Sequence, residues 1–256
     1  MIQSARLAKL LSLLEERPIW SVAELAVRFD VSDETIRRDV RQLEKLGRAQ
    51  KTHGGVSVPS NLIEAPYRVR LRESAEAKQR IGRRAAGFVS AGMTLLLDSG
   101  TTSFWMARAL AGVRNLTIIT NSMEIAAEVL GRPGYRLLLA GGVINSDYRA
   151  AFGAEPAAFC RRFVPDLTVL SMGAVDAVRG FLDYDADEAA FKRSLVERAQ
   201  RVMVLADRTK FDKPGFIQVA EYGEVHDLVT DRAPPAATAA AAMAAGTSLY
   251  LAEAEE

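Results

Sequence analysis

The chain has 256 residues, one cysteine, two histidines and a formal net charge of +1. A single cysteine excludes an internal disulfide framework and any multi-cysteine zinc site, and two histidines argue against a metal centre. With a total so near neutral, affinity for a polyanion has to come from a local patch.

The first sixty residues read as three short helices and a hairpin. Leu7, Leu10, Leu11 and Leu14 recur at helical spacing, and Pro18 closes that helix. Ser21 with Glu24 three residues on forms a capping box ahead of Val22, Leu25, Ala26 and Phe29. Asp30 and Val31 make a tight turn into Ser32, an N-cap whose following Asp33 and Glu34 suit the first turn of a third helix. There Ile36, Val40 and Leu43 face inward, Arg37, Arg38, Arg41 and Lys45 face outward, and Gly47 ends the helix. Two brief strands about Gly54-Gly55 then form a wing.

A basic run alone is usually a solvated face. Here it lies on the last helix of a helix-turn-helix and on the hairpin after it, the elements that meet a groove and its flanking phosphates together. Double-stranded DNA is therefore the expected partner. Thr35, Arg37, Arg38 and Gln42 are within reach of base edges, with arginine and lysine also neutralising phosphates.

The sequence gives a winged helix-turn-helix domain over 1–58, a linker over 59–78 and a sensor domain over 79–256. Pro59 and Pro66 break structure in the linker, and Arg68, Arg70 and Arg72 alternate along what reads as an extended piece before a helix near Ser74. Beyond residue 80, apolar runs (TLLLD, LTIIT, YRLLLA, LTVLSM, RVMVLA, DLVT) alternate with helical patterns, as in a mainly parallel, Rossmann-like α/β sheet covered on both faces. The apolar ATAAAAMAAG is shorter than the roughly 20 residues that span a bilayer, and Lys9, Glu15 and Glu16 interrupt any signal-peptide core. A cytoplasmic protein without a membrane partner is expected.

Ligands of such sheets bind beyond the carboxyl ends of the strands. DSGTTS follows the first strand and opens a helix, so Ser99, Thr101, Thr102 and Ser103 add hydroxyls to the amides of a helix N-terminus around Gly100. The lysine of a nucleotide-triphosphate loop is absent, and so is GxGxxG, which points to a small phosphorylated metabolite and no cofactor. Asp98 and Asp207 are candidates for sugar hydroxyls, and Lys192, Arg193, Lys210 and Arg149 for phosphate charge. Glu188 with Lys192 also reads as an i,i+4 surface pair. No convincing acid/base set is visible, so no catalytic residue is expected. A sugar-phosphate isomerase or deaminase with an appended DNA-binding module remains the alternative.

VSDETIRRDVRQLEKLGRAQKTHGG resembles the N-terminal signature of the DeoR family of bacterial transcriptional regulators, and DSGTTS, TNS, AGG, EAAFKR, ADRTKF and TD follow in that family's order. The resemblance implies a repressor of carbohydrate or polyol catabolism genes, relieved by a phosphorylated sugar and acting as a homodimer or homotetramer. It also implies a sensor domain related in fold to ribose-5-phosphate isomerase. For DNA it points to Thr35, Arg37, Arg38, Lys51 and His53, to which the helix position adds Ser32 and Arg41. For the effector it points to Asp98, Gly100, Thr101, Thr102, Thr120, Asn121, Ser122, Gly141, Gly142, Asp207 and Lys210, to which the loop reading adds Ser99. Lys51 where arginine is usual, NSDYRAAFG before Gly153 and VLSMGA at a strand end depart from the family pattern and bear on effector identity.

Overall fold

The computed structural model describes residues 3–17, 19–45, 49–52, 55–57 and 64–252. The chain divides into two compact units, Met1–Glu64 and Ala65–Glu256.

In the first unit, α1 (Gln3–Glu16), β1 (Ile19–Trp20), α2 (Val22–Phe29), α3 (Asp33–Lys45), β2 (Gln50–Thr52) and β3 (Gly55–Ser57) form a helix-turn-helix with a three-stranded antiparallel wing in the order β1-β3-β2. The capping box is present: Glu24 N–H donates to Ser21 Oγ at 3.1 Å and Ser21 N–H to Glu24 Oε2 at 2.9 Å. Asp30 takes the left-handed conformation that ends α2, at φ 53°. Leu10, Leu14, Leu25, Phe29, Ile36, Val40, Leu43 and Val56 make the core, so each helix turns its apolar stripe toward one centre. Arg6 on α1 grips Asp39 on α3 at 2.5 and 3.2 Å, a buried pair that the periodicity did not signal. The register pairs Thr52 with Gly55, so Gly55, expected in the turn, is instead the first residue of β3. Pro18, Gly47, His53 and Gly54 lie outside the described residues.

The second unit opens with α4 (Tyr67–Arg72) and α5 (Ala75–Ala86). The expected extended piece carrying Arg68, Arg70 and Arg72 is therefore helical, with Tyr67 and Arg70 one turn apart on its buried face. Then come β4 (Thr94–Leu97), α6 (Thr101–Ala109), β5 (Thr117–Thr120), α7 (Met123–Val129), β6 (Arg136–Leu139), the small hairpin β7 (Ile144–Asn145) and β8 (Ala150–Ala151), and α8 (Ala154–Cys160). They are followed by β9 (Leu167–Ser171), β10 (Ala174–Asp176), β11 (Gly180–Asp183), α9 (Ala186–Val196), β12 (Val202–Leu205), β13 (Ile217–Ala220), β14 (Asp227–Thr230), α10 (Ala236–Ala245) and β15 (Ser248–Leu251).

Seven strands make one parallel sheet in the order β15-β14-β12-β9-β4-β5-β6. Both faces are buried. Leu96, Ile119, Leu170, Val204 and Leu228 pack under α8, α9 and α10, while Leu95, Leu97, Ile118, Val169 and Met203 pack under α5, α6 and α7. That two-sided burial is why the strands read as unbroken apolar runs. Gly82 lets α5 close on α6, because a Cβ there would stand 2.7 Å from Met106 N. A second, antiparallel sheet (β10-β11-β13) carries Asp183 at a strand end.

The chain builds outward from β4 to β5 and β6, then returns to place β9 on the other side of β4. The order reverses between β4 and β9, and it is beyond the carboxyl ends of the strands at such a reversal that ligands of open α/β sheets bind.

Candidate functional site

In the first unit, Ser32 Oγ accepts from Thr35 N–H at 3.3 Å and lies 2.9 Å from Thr35 Oγ1, so these two residues shape the start of α3. Arg37, Arg38 and Arg41 are exposed along it. Arg37 and Arg41 lie 3.9 and 3.3 Å from Glu34, solvated pairs that contribute little to stability. Lys51 is exposed on β2, with its amide donating to Glu44 at 2.8 Å. An exposed basic helix followed by a basic strand can follow a phosphate backbone.

In the second unit, DSGTTS sits at the reversal point. Asp98 is sealed from solvent, and its carboxylate accepts from Gly100 N–H at 3.1 Å, from Ser171 N–H at 2.8 Å and from Ser103 Oγ–H. It thus fastens the loop to the end of β9 and leaves little capacity for a sugar hydroxyl. Ser103 is committed as well, its amide donating to Ser171 Oγ at 3.0 Å. Gly100 is required by close approach, since a Cβ there would lie 2.2 Å from Ser171 Cβ. What the loop leaves free are the first amides of α6 at Thr101 and Thr102, which have no intrahelical acceptor, and the Ser99 hydroxyl, buried without a hydrogen-bond partner.

Beneath the loop lies a charge cluster. Lys192 donates to Ser171 O at 2.6 Å and to Asp183 at 2.8 Å, stands 2.8 Å from Glu188 and is 3.4 Å from Asp98. All four side chains are at most 2% exposed. Burial opposes its charge, but Asp183, Glu188 and Asp98 outweigh that and raise the Lys192 pKa well above its ordinary value. Glu188 and Lys192 are therefore neither a surface pair nor free to meet a phosphate. Arg193 and Arg149 are likewise engaged, by Glu224 at 2.7 Å and by Glu124.

The neighbouring strand ends add further groups. Thr120 Oγ1 accepts from Ser122 N–H at 3.1 Å, and Ser122 Oγ caps α7 through Ile125 N–H at 3.2 Å, so both shape the turn. Asn121 Nδ2 donates to Ala151 O at 2.9 Å, leaving its Oδ1 buried and unpartnered. Asp207 caps the next turn through Thr209 N–H at 2.9 Å and keeps its other carboxylate oxygen without a partner. Lys210 is half-buried beyond it, whereas Gly141 and Gly142 are exposed after β6.

Lys78 on α5 is the cation that sequence reasoning missed. It is 3% exposed and donates to Arg70 O at 2.5 Å. Burial lowers its pKa to about 8, against an opposing pull from Asp207. Beside Arg80, Arg83 and Arg84 on α5, only its place on the buried face with Ala77 and Ile81 distinguishes it.

Residues 6–61 match the DeoR-like helix-turn-helix domain and residues 73–232 the DeoR C terminal sensor domain. The chain is 31% identical to the HTH-type transcriptional repressor CsqR of Escherichia coli (strain K12), over 90% of this chain and 88% of that protein. It is 31% identical to the glycerol-3-phosphate regulon repressor of the same bacterium, over 92% of this chain and 93% of the relative. It is 33% identical to the transcriptional repressor AccR of Agrobacterium fabrum (strain C58 / ATCC 33970), over 88% of each. With both domain matches in order along the sequence and repressors similar to it over most of their length, the chain belongs to the DeoR family of DNA-binding transcriptional regulators.

Proposed function

We propose that the chain represses genes of carbohydrate or polyol catabolism by binding an operator through its first unit, and that a phosphorylated sugar or polyol bound in its second unit relieves the repression. The carrying observation is what gathers at the carboxyl edge about the β4–β9 reversal. Helix-terminal amides at Thr101 and Thr102 and the buried Lys78 are suited to a phosphate. The unpartnered Ser99 Oγ, Asn121 Oδ1 and Asp207 carboxylate oxygen are suited to hydroxyls. The glycerol-3-phosphate in the name of one relative, the glycerol-3-phosphate regulon repressor, belongs to this chemical class.

An isomerase or deaminase reading is not favoured. The relatives are named as regulators, and the carboxylates nearest the loop (Asp98, Asp183 and Glu188) are bound up with Lys192 and backbone amides. A single helix-turn-helix reads one half-site, so the repressor works as a homodimer or homotetramer on paired half-sites. Relief requires unequal effector affinity for the operator-competent and incompetent states.

The test is binding of the full chain to a fragment of its own promoter, with and without glycerol-3-phosphate, ribose-5-phosphate, fructose-1-phosphate or glucosamine-6-phosphate. Specific binding weakened by at least one of them is expected. Binding indifferent to every phosphorylated sugar and polyol would overturn the effector half of the proposal, and absence of binding would overturn the first half.

A further inference from the structure

Tyr67 opens α4, in the stretch whose sequence reads as linker. Its side chain is 1% exposed, yet its hydroxyl makes no hydrogen bond with any described residue. Buried tyrosines normally place the ring in apolar surroundings and give the hydroxyl a partner. An unpartnered one, near the likewise unpartnered Ser99 Oγ and Asn121 Oδ1, marks a place where a polar partner can arrive from outside.

The surroundings locate that place. Tyr67 N–H donates to Asp147 O at 2.7 Å, holding α4 to the β7–β8 hairpin. The hairpin is bonded in turn to the end of β5, through Ala151 N–H to Asn121 O at 3.1 Å and Asn121 Nδ2 to Ala151 O at 2.9 Å. On its other side α4 packs against α6, the helix that the DSGTTS loop begins. Burial first, then Glu124, raises the Tyr67 pKa, while Arg70 and Arg149 oppose the shift and Asp98 adds to it. The charges acting on the phenol thus come from α4, the DSGTTS loop, α7 and the hairpin together. Asn121, which ties the hairpin to β5, keeps its Oδ1 buried and unpartnered, and Lys78 is bonded to α4 itself, donating to Arg70 O at 2.5 Å.

We infer that the Tyr67 hydroxyl is a specificity-determining contact of the sensor, hydrogen-bonding a hydroxyl of the effector's carbon chain while the amides of Thr101 and Thr102 and the Lys78 ammonium take its phosphate. An alcohol hydroxyl both donates and accepts, so it can meet a phenol and a carboxamide oxygen at once. The inference rests on the reading of this edge as a phosphosugar site. It adds that the ligand is held by the helix beginning three residues after Glu64, where the first unit ends.

The experiment titrates the full chain and its Tyr67→Phe variant with the four phosphorylated compounds named above and with inorganic phosphate, and records the melting temperature of each ligand-free protein. The compound that binds the wild type tightest should lose about tenfold or more in affinity, the loss of one hydrogen bond to a buried site. Inorganic phosphate should bind both proteins equally, and ligand-free Tyr67→Phe should melt no lower than wild type. Equal affinity of both proteins for that compound would overturn the inference and leave the site intact. Parallel loss of phosphate binding with a lowered melting temperature would show a packing role only, and would also overturn it. A wild type that binds none of the compounds would remove the phosphosugar reading and this inference with it.

Discussion

Lys192 Nζ and Asp183 Oδ2 meet at 2.8 Å, with neither side chain more than 2% exposed. The pair lies inside a group of one cation and three carboxylates, and it supports Ser171, to which both Asp98 and the DSGTTS loop are tied. Removing the ammonium would leave buried carboxylates without their counter-charge. Lys192→Met should therefore cost about 3–5 kcal/mol in urea unfolding of the second unit. The folded pKa of Lys192 lies above its unfolded value, so from neutral pH up to about 10.4 the lysine's share of this stabilisation is complete, and it fades as pH climbs toward the folded value. A Lys192→Met protein as stable as wild type at neutral pH would mean the cluster contributes nothing.

Lys78 gives the opposite pH signature. Its folded pKa of about 8 lies below the unfolded value of about 10.4, so the unfolded chain binds more protons between those limits and ligand-free stability should rise with pH across that window. A bound phosphate favours the ammonium, so effector binding should take up a proton above about pH 8 and weaken as pH increases further. Isothermal titration in buffers of different ionisation enthalpy reads the proton directly. Lys78→Met should weaken binding and abolish the uptake; uptake that persists in the variant would assign the titration to another group.

Much of the architecture was legible because it is local. The Ser21–Glu24 box, the 3.6-residue stripes of α2 and α3 and the apolar runs of the parallel strands each declare themselves within a few residues. What was illegible depends on distance along the chain. Asp98 reads as a ligand group until its partner appears at Ser171, 73 positions away. Tyr67 and Arg70 fall in a segment where prolines and alternating arginines imitate an extended linker, and only their common buried face makes it a helix. β15, β11 and β13 match most of the parallel strands in length, but Asp176, Gly180, Asp183, Gln218 and Ser248 leave them and β10 without a comparable apolar run. Lys192 at i+4 from Glu188 looks like a solvated pair, because spacing carries no information on burial.

Gly100→Ala isolates the loop's geometry from its chemistry. The new methyl would stand 2.2 Å from Ser171 Cβ and 2.4 Å from Ser171 Oγ, so either the loop or the end of β9 must shift. Overpacking of this kind costs about 1–3 kcal/mol. The displacement also moves the Thr101 and Thr102 amides, so phosphate-dependent thermal stabilisation should vanish in the variant while a structure of the first unit stays unchanged. Undiminished stabilisation by a phosphosugar that protects the wild type would show that these amides do not hold the phosphate.

Arg38 separates the two activities. It is exposed on α3 between Arg37 and Arg41, both of which lie within reach of Glu34. Arg38→Ala should weaken operator binding in the full chain and leave effector affinity unaltered, since the effector groups all belong to the second unit. A phosphate contact would show as a salt slope shallower by about 1 in log–log terms, with the loss equal on all sequences. A base contact would show as about 1–3 kcal/mol lost on the operator and little on random DNA. Unchanged operator affinity at every salt concentration would remove Arg38 from the interface and turn attention to Arg37, Arg41 and Lys51.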